Sequence, residues 1–193
     1  MSQGCDGFEF DVRRTREGRN VVWHDPTCCN KEIASTDSAE LLDSDGRRLT
    51  ALEEVLTNFG RTAYLDIELK VSGGEESIVA ALRANPPQSG FIVSSFFPEI
   101  LLRLHGLDDR LPLGFICDRR SALDSWPDLP VQVVLPRYSL LHPQLVENIH
   151  QSGRQIISWT VNTKDQMRFA SECGVDGLIS DSPELLYQTF HSE

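Results

Sequence analysis

Alternation of apolar and acidic residues sets the chain's first element. Phe8, Phe10 and Val12 share one face of a strand beginning at Gly7, and Glu9 and Asp11 share the other, because successive strand side chains point to opposite faces. A turn at Glu17-Gly18 leads into Val21-Val22-Trp23 and then His24-Asp25, so residues 7–25 predict a hairpin-like unit. The alternation returns over 63–70, with Leu65, Ile67 and Leu69 on one face and Asp66, Glu68 and Lys70 on the other. Apolar runs at 91–96, 113–118, 131–136, 155–161 and 177–181 predict further strands.

Helical patterns fill the intervals. Thr50-x-x-Glu53 reads as a capping box opening a helix striped by Leu52, Val55 and Leu56. Further helices are predicted over 75–83, 98–105 with a stop at Gly106, 120–126, 143–152, 163–174 and from Ser182-Pro183 onward. The polar stretch 26–49 is an excursion, with a short helical turn near Ala39–Leu42.

Short strands alternating with helices of about ten residues predict βαβ units and a parallel sheet. No glycine-rich loop follows the first strand, which disfavours a Rossmann or P-loop fold and favours an α/β (β/α) barrel spanning 1–193 as one domain. Functional side chains of such barrels sit at the C-terminal strand ends. Here those ends carry Glu9, Asp11, Glu68, Lys70, Ser95, Arg137, Trp159 and Asp181.

Two carboxylates on one strand face are costly together unless a cation sits between them. Glu9, Asp11 and His24 therefore have the makings of a metal-assisted hydrolytic site. The alternative is a solvent-facing Glu9 and a surface His24. Asp66, inward beside Glu68, would need a partner deep in the barrel.

Composition narrows the classes. A net charge of −11 disfavours nucleic-acid binding and suits a chain that uses carboxylates for a cation and for solubility. Five cysteines without metal-ligand spacing disfavour a zinc site or disulfide framework and fit a reducing cytoplasm. No signal pattern and no membrane-length apolar run are seen, so a soluble protein without a membrane span is expected.

Gly4-Cys-Asp-Gly-Phe-Glu-Phe-Asp-Val, His24-Asp25, Leu65-Asp-Ile-Glu-Leu-Lys70, Val93-Ser-Ser-Phe96, Trp159-Thr-Val-Asn162 and Gly174-Val-Asp-Gly-Leu-Ile-Ser-Asp-Ser-Pro183 occur in order over nearly the whole chain. Together they resemble the glycerophosphodiester phosphodiesterases. The resemblance implies a TIM-type barrel and metal-dependent hydrolysis of a glycerophosphodiester to glycerol 3-phosphate and an alcohol. It implies Glu9, Asp11 and Glu68 as ligands of Mg²⁺ or Ca²⁺, His24 as one of two catalytic histidines, and Lys70 as a phosphate-side cation.

Beside it, Trp159, Ser95 and Phe96 are candidate substrate contacts or packing residues, and Arg137 a further positive charge. Lys70 could instead only hold Glu68 in place. The family's opening strand, ending in His-Arg-Gly, has no counterpart after Met1. An opened barrel missing its first βα unit is therefore expected, its gap closed by local rearrangement or by a homodimer. His105, His142, His150 and His191 lie away from strand ends and read as surface or packing residues. Two other functions stay open: a catalytically impaired barrel that binds a metal and phosphodiesters, and a related phosphodiesterase acting on another headgroup such as a lysophospholipid. Whether Met1 is the natural start also stays open.

Overall fold

A computed structural model describes residues 4–191. The chain opens with β1 (Gly7–Arg14), which turns back through Gly18 (φ +88°) into the short antiparallel β2 (Asn20–Val22). A satellite follows, built on the β3 (Thr27–Cys28) and β4 (Lys31–Glu32) hairpin and two 3₁₀ turns. Its own small core joins Val21, Cys28, Ile33, Leu41 and Leu49, with Trp23 packed against it.

Six βα repeats then wind the sheet. They run α1 (Leu52–Phe59), β5 (Tyr64–Leu69), α2 (Glu75–Ala84), β6 (Phe91–Ser95), α3 (Pro98–Leu107), β7 (Leu113–Cys117) and α4 (Arg120–Leu123). After these come β8 (Val133–Pro136), α5 (Pro143–Gln151), β9 (Gln155–Ser158), α6 (Lys164–Glu172), β10 (Gly177–Leu178) and α7 (Pro183–His191). The strand order β10-β9-β8-β7-β6-β5-β1-β2 makes one eight-stranded sheet, parallel except for β2.

Among the described residues β1 and β10 do not pair, so the barrel is open, as the sequence predicts. Local packing narrows the opening. Gly4 lies against the Tyr187 ring of α7 so closely that an added Cβ would stand 2.1 Å from it, in a backbone conformation (φ +81°) that suits glycine.

The outward strand residues form the main core with the helices, Ile67, Leu69, Val93, Phe115 and Val134 among them. Inside the barrel a second cluster gathers Ile92, Ile116, Val133 and Leu135, flanked by Tyr64, Phe96, Ile157, Trp159 and Ile179.

Three boundaries differ from expectation. Helix α1 begins at Leu52 behind Ala51, because Thr50 and Ala51 stay extended: Val22 N–H donates to the Thr50 carbonyl at 2.8 Å, and Val21 bridges Ala51. Strand pairing thus overrides the Thr50–Glu53 box, and Glu54 accepts from Ala51 N–H instead. Helix α3 runs through Gly106 and stops at extended Asp108, whose carboxylate is held by Arg83. The expected helix 120–126 divides into α4 and a 3₁₀ turn at Trp126–Asp128, with Pro127 in its first turn.

Candidate active site

The parallel register of β1 and β5 sets Asp11 against Glu68 and Glu9 against Asp66. All four carboxylates face inward, because the intervening Phe10, Val12, Ile67 and Leu69 go to the main core. Ligand oxygens of Glu9, Asp11 and Glu68 lie within 4.8 Å of one another. Lys70, one step beyond Glu68 on that face, places Nζ 2.8 Å from Asp11 Oδ1 and pairs also with Glu68 Oε1.

One ammonium facing four carboxylates leaves a surplus of negative charge. Burial, and then Asp11, Asp66 and Glu68, push the Glu9 carboxyl up to about 8, with Lys70 opposing. Burial raises Glu68 as well, against the bond and the charge of Lys70. Asp66 is pushed up to about 7 by burial, although Ser94 Oγ donates to its Oδ1 at 2.5 Å. Ser94 is thus a deep partner for one Asp66 oxygen, while Oδ2 has no hydrogen bond. Burial alone would lower Lys70, but its bonds to Asp11 and Glu68 hold it above the usual range. Glu9 Oε1 has no hydrogen-bond partner. A half-buried group of hard oxygens with an unsatisfied acceptor fits a divalent cation.

His24 stands at the rim, its side chain 74% exposed. Its Nδ1 meets Asp25 Oδ1 at 2.8 Å. A carboxylate only accepts, so Nδ1 is the donor in this pair and Nε2 faces away from it. The segment is anchored on both sides: Trp23 Nε1 donates to the Thr27 carbonyl at 2.9 Å, and Arg13 Nε donates to the His24 carbonyl at 2.8 Å. Arg13 was not among the residues the sequence singles out. The signal was present, because it continues the Glu9–Asp11 series on the inward face of β1.

On the far side of Lys70 lies an aromatic pair. Lys70 Nζ is 5.6 Å from the centre of the Phe96 ring, which meets Trp159 edge-on at 5.5 Å. Trp159 is fixed by Nε1–H donating to the Leu135 carbonyl at 2.7 Å. Arg137 follows β8, bridged to Trp159 through the backbone, with its side chain exposed.

Ser95 departs from its expected part as a substrate contact. Phe96 turns inward, so its neighbour Ser95 turns outward; it is fully buried, and its hydroxyl donates to the Leu69 carbonyl. Adjacent strand residues cannot both face the site.

The remaining histidines are occupied elsewhere or set in helices. His142 Nδ1 accepts from Leu145 N–H at the start of α5, His150 pairs with Asp176, His191 stacks on Tyr187, and His105 sits within α3.

A sequence model of the glycerophosphoryl diester phosphodiesterase family matches residues 1–185. The glycerophosphodiester phosphodiesterase of Caldanaerobacter subterraneus subsp. tengcongensis is 29% identical over 210 residues, covering 96% of this chain and 86% of that relative. A crystal structure of a glycerophosphodiester phosphodiesterase from Parabacteroides distasonis superposes with a TM-score of 0.89 at 24% identity, covering 99% of this chain and 86% of the other. An Oleispira antarctica phosphodiesterase, solved in complex with the product sn-glycerol-3-phosphate, gives 0.85 at 22% identity, covering 97% and 86%. These likenesses establish the TIM-type α/β barrel fold.

Proposed function

The chain belongs to the glycerophosphoryl diester phosphodiesterase family, and from that membership we propose that it hydrolyses glycerophosphodiesters to glycerol 3-phosphate and an alcohol with a divalent cation. The observation that carries this reading is the convergence of Glu9, Asp11 and Glu68 within 4.8 Å beside Lys70. The product named in the Oleispira antarctica complex supports the substrate class.

Glu9, Asp11 and Glu68 would hold Mg²⁺ or Ca²⁺, both hard ions that prefer oxygen ligands. When bound, such an ion supplies a Lewis acid for the phosphoryl group. Lys70 offsets negative charge growing on the phosphoryl oxygens. His24, with Nδ1–H held by Asp25, moves a proton through Nε2 during cleavage of the P–O bond. Phe96 and Trp159 border the alcohol side, and Arg137 adds positive charge at the mouth.

A second reading rests on the histidines. Only His24 stands at this rim among the described residues, so a barrel that binds metal and diester without turnover is the rival. Homodimerisation across the gap between β10 and the part of β1 that β2 leaves uncovered would close the opening, which light scattering can test. A cytoplasmic setting suits five free cysteines. No helix is long and apolar enough to cross a membrane.

The deciding experiment follows choline release from glycerophosphocholine with Mg²⁺ or Ca²⁺, with chelator, and with His24→Ala. Turnover that needs metal and His24 is the expected result. Metal-dependent thermal stabilisation without turnover on any headgroup would favour the rival.

A further inference from the structure

We infer that Arg13 is an anion-binding residue of this site, presenting its terminal guanidinium nitrogens to the phosphoryl oxygens of the diester while its Nε holds the His24 segment. The inference rests on the substrate class proposed above.

Charge balance calls for such a group. A divalent ion and the Lys70 ammonium together offset the three carboxylates of Glu9, Asp11 and Glu68, while Asp66 beside them adds nothing positive. A phosphodiester arrives with one negative charge and gathers more as the phosphorus is attacked. With only those groups, a site without net positive charge would take up an anion without long-range attraction. A further cation shifts that balance toward the anion.

Arg13 has the geometry for it. It follows Asp11 by two residues on the inward face of β1, and it lies opposite Val21, whose side chain belongs to the satellite core. Its side chain therefore leaves β1 on the face shared by the carboxylates and Val21. Nε is spent on the His24 carbonyl at 2.8 Å, and among the described residues neither terminal nitrogen makes a hydrogen bond or ion pair.

Several other arginines are already engaged or turned away. Arg16 is paired with Asp37, Arg83 with Asp108 and Arg103 with Glu75 and Glu76. Arg14 lies on the opposite face of β1, beneath Gly18 and Gly73. The fork geometry also matters. With Nε engaged, the two terminal nitrogens still form a planar pair of donors suited to two phosphoryl oxygens.

The test reads binding rather than turnover. Glycerol 3-phosphate is titrated by calorimetry into wild type, Arg13→Gln and Arg13→Lys, each saturated with Ca²⁺; Ca²⁺ affinity and melting temperature are measured in parallel. Arg13→Gln should weaken glycerol 3-phosphate binding at least tenfold, with Arg13→Lys intermediate and Ca²⁺ affinity of both variants within a few-fold of wild type. That pattern supports the inference even if no diester is turned over, so failure of the hydrolytic reading shows up separately. Equal binding by wild type and Arg13→Gln would overturn it. So would absence of binding to wild type at millimolar concentration, or equal losses of anion and Ca²⁺ affinity in Gln and Lys variants alike.

Discussion

Inward positions of β1 and β5 carry Glu9, Asp11, Asp66, Glu68 and Lys70, whereas those of β7, β8 and β9 carry Ile116, Val133, Leu135 and Ile157. The backbone is the same in both halves: parallel strands, the same alternation, the same helices behind. Side-chain type alone separates a region that concentrates charge from one that fills space. The charged half opposes folding, since burial pushes Glu9 up to about 8 and Asp66 up to about 7. The apolar half contributes the burial that offsets this cost. A barrel can therefore hold an unfavourable cluster at one side because the other side is packed.

The strongest way to break the comparison is to remove a carboxylate. Glu68→Ala should lower kcat/KM for a glycerophosphodiester by about a thousandfold, in line with loss of a group that holds charge-stabilising machinery. Circular dichroism should show a folded protein, because one buried repulsion is removed with the ligand. Activity within tenfold of wild type would take Glu68 out of the metal site.

In the apolar half the expected effect reverses. Leu135 is 1% exposed within the inner cluster, so Leu135→Ala should cost about 3 kcal/mol of stability in urea. The folded fraction should keep its specific activity. A loss of activity larger than the loss of folded protein would mean that this half shapes the site directly.

These two halves were unequally legible in the sequence. Both Glu9-x-Asp11 and Asp66-x-Glu68-x-Lys70 mark a polar strand face through their alternation, but a solvent-facing Glu9 stayed open until the pairing of β1 with β5 turned that face inward. The parallel pairing that brings Glu68 beside Asp11 follows from βα repetition. Ser95 was misassigned because the run Val93-Ser-Ser-Phe96 mixes two polar neighbours, and only the inward turn of Phe96 decides which serine faces the barrel. The start of α1 was hidden for another reason. Local capping favours Thr50, but pairing of Val22 with Thr50 is a long-range contact that no local pattern reveals. Arg13 escaped notice because arginine beside two other basic residues reads as a solvated turn, while its role depends on the satellite packed above it.

A third, smaller effect sharpens the comparison through pH. Glu9 has a folded value of about 8 against an ordinary 4.5, and Asp66 about 7 against 3.8. Between those limits the native state binds more protons than the unfolded chain, so stability falls as pH rises. Metal-free protein should therefore melt higher at pH 5 than at pH 8, with the contribution complete below about 4 and lost above about 8. Adding Ca²⁺ at pH 8 should restore most of the loss, and Glu9→Gln should flatten the profile. A metal-free melting temperature that climbs steadily from pH 5 to pH 8 would contradict the carboxylate cluster.

Trp159 lies where the two halves meet, and its substitution should have the smallest effect. Its ring touches Phe96 on the side of Lys70, while its Nε1–H reaches Leu135 on the apolar side. Trp159→Phe keeps an aromatic edge for Phe96 but removes the donor to the Leu135 carbonyl. That carbonyl then lacks its side-chain partner, a loss of about 1 kcal/mol. The melting temperature should fall by a few degrees, and KM should rise no more than severalfold, because the ring still borders the alcohol side. If stability is unchanged while KM rises tenfold or more, the indole acts on the substrate itself. Trp159 would then belong with the charged half, and the boundary between the halves would run between Trp159 and Leu135.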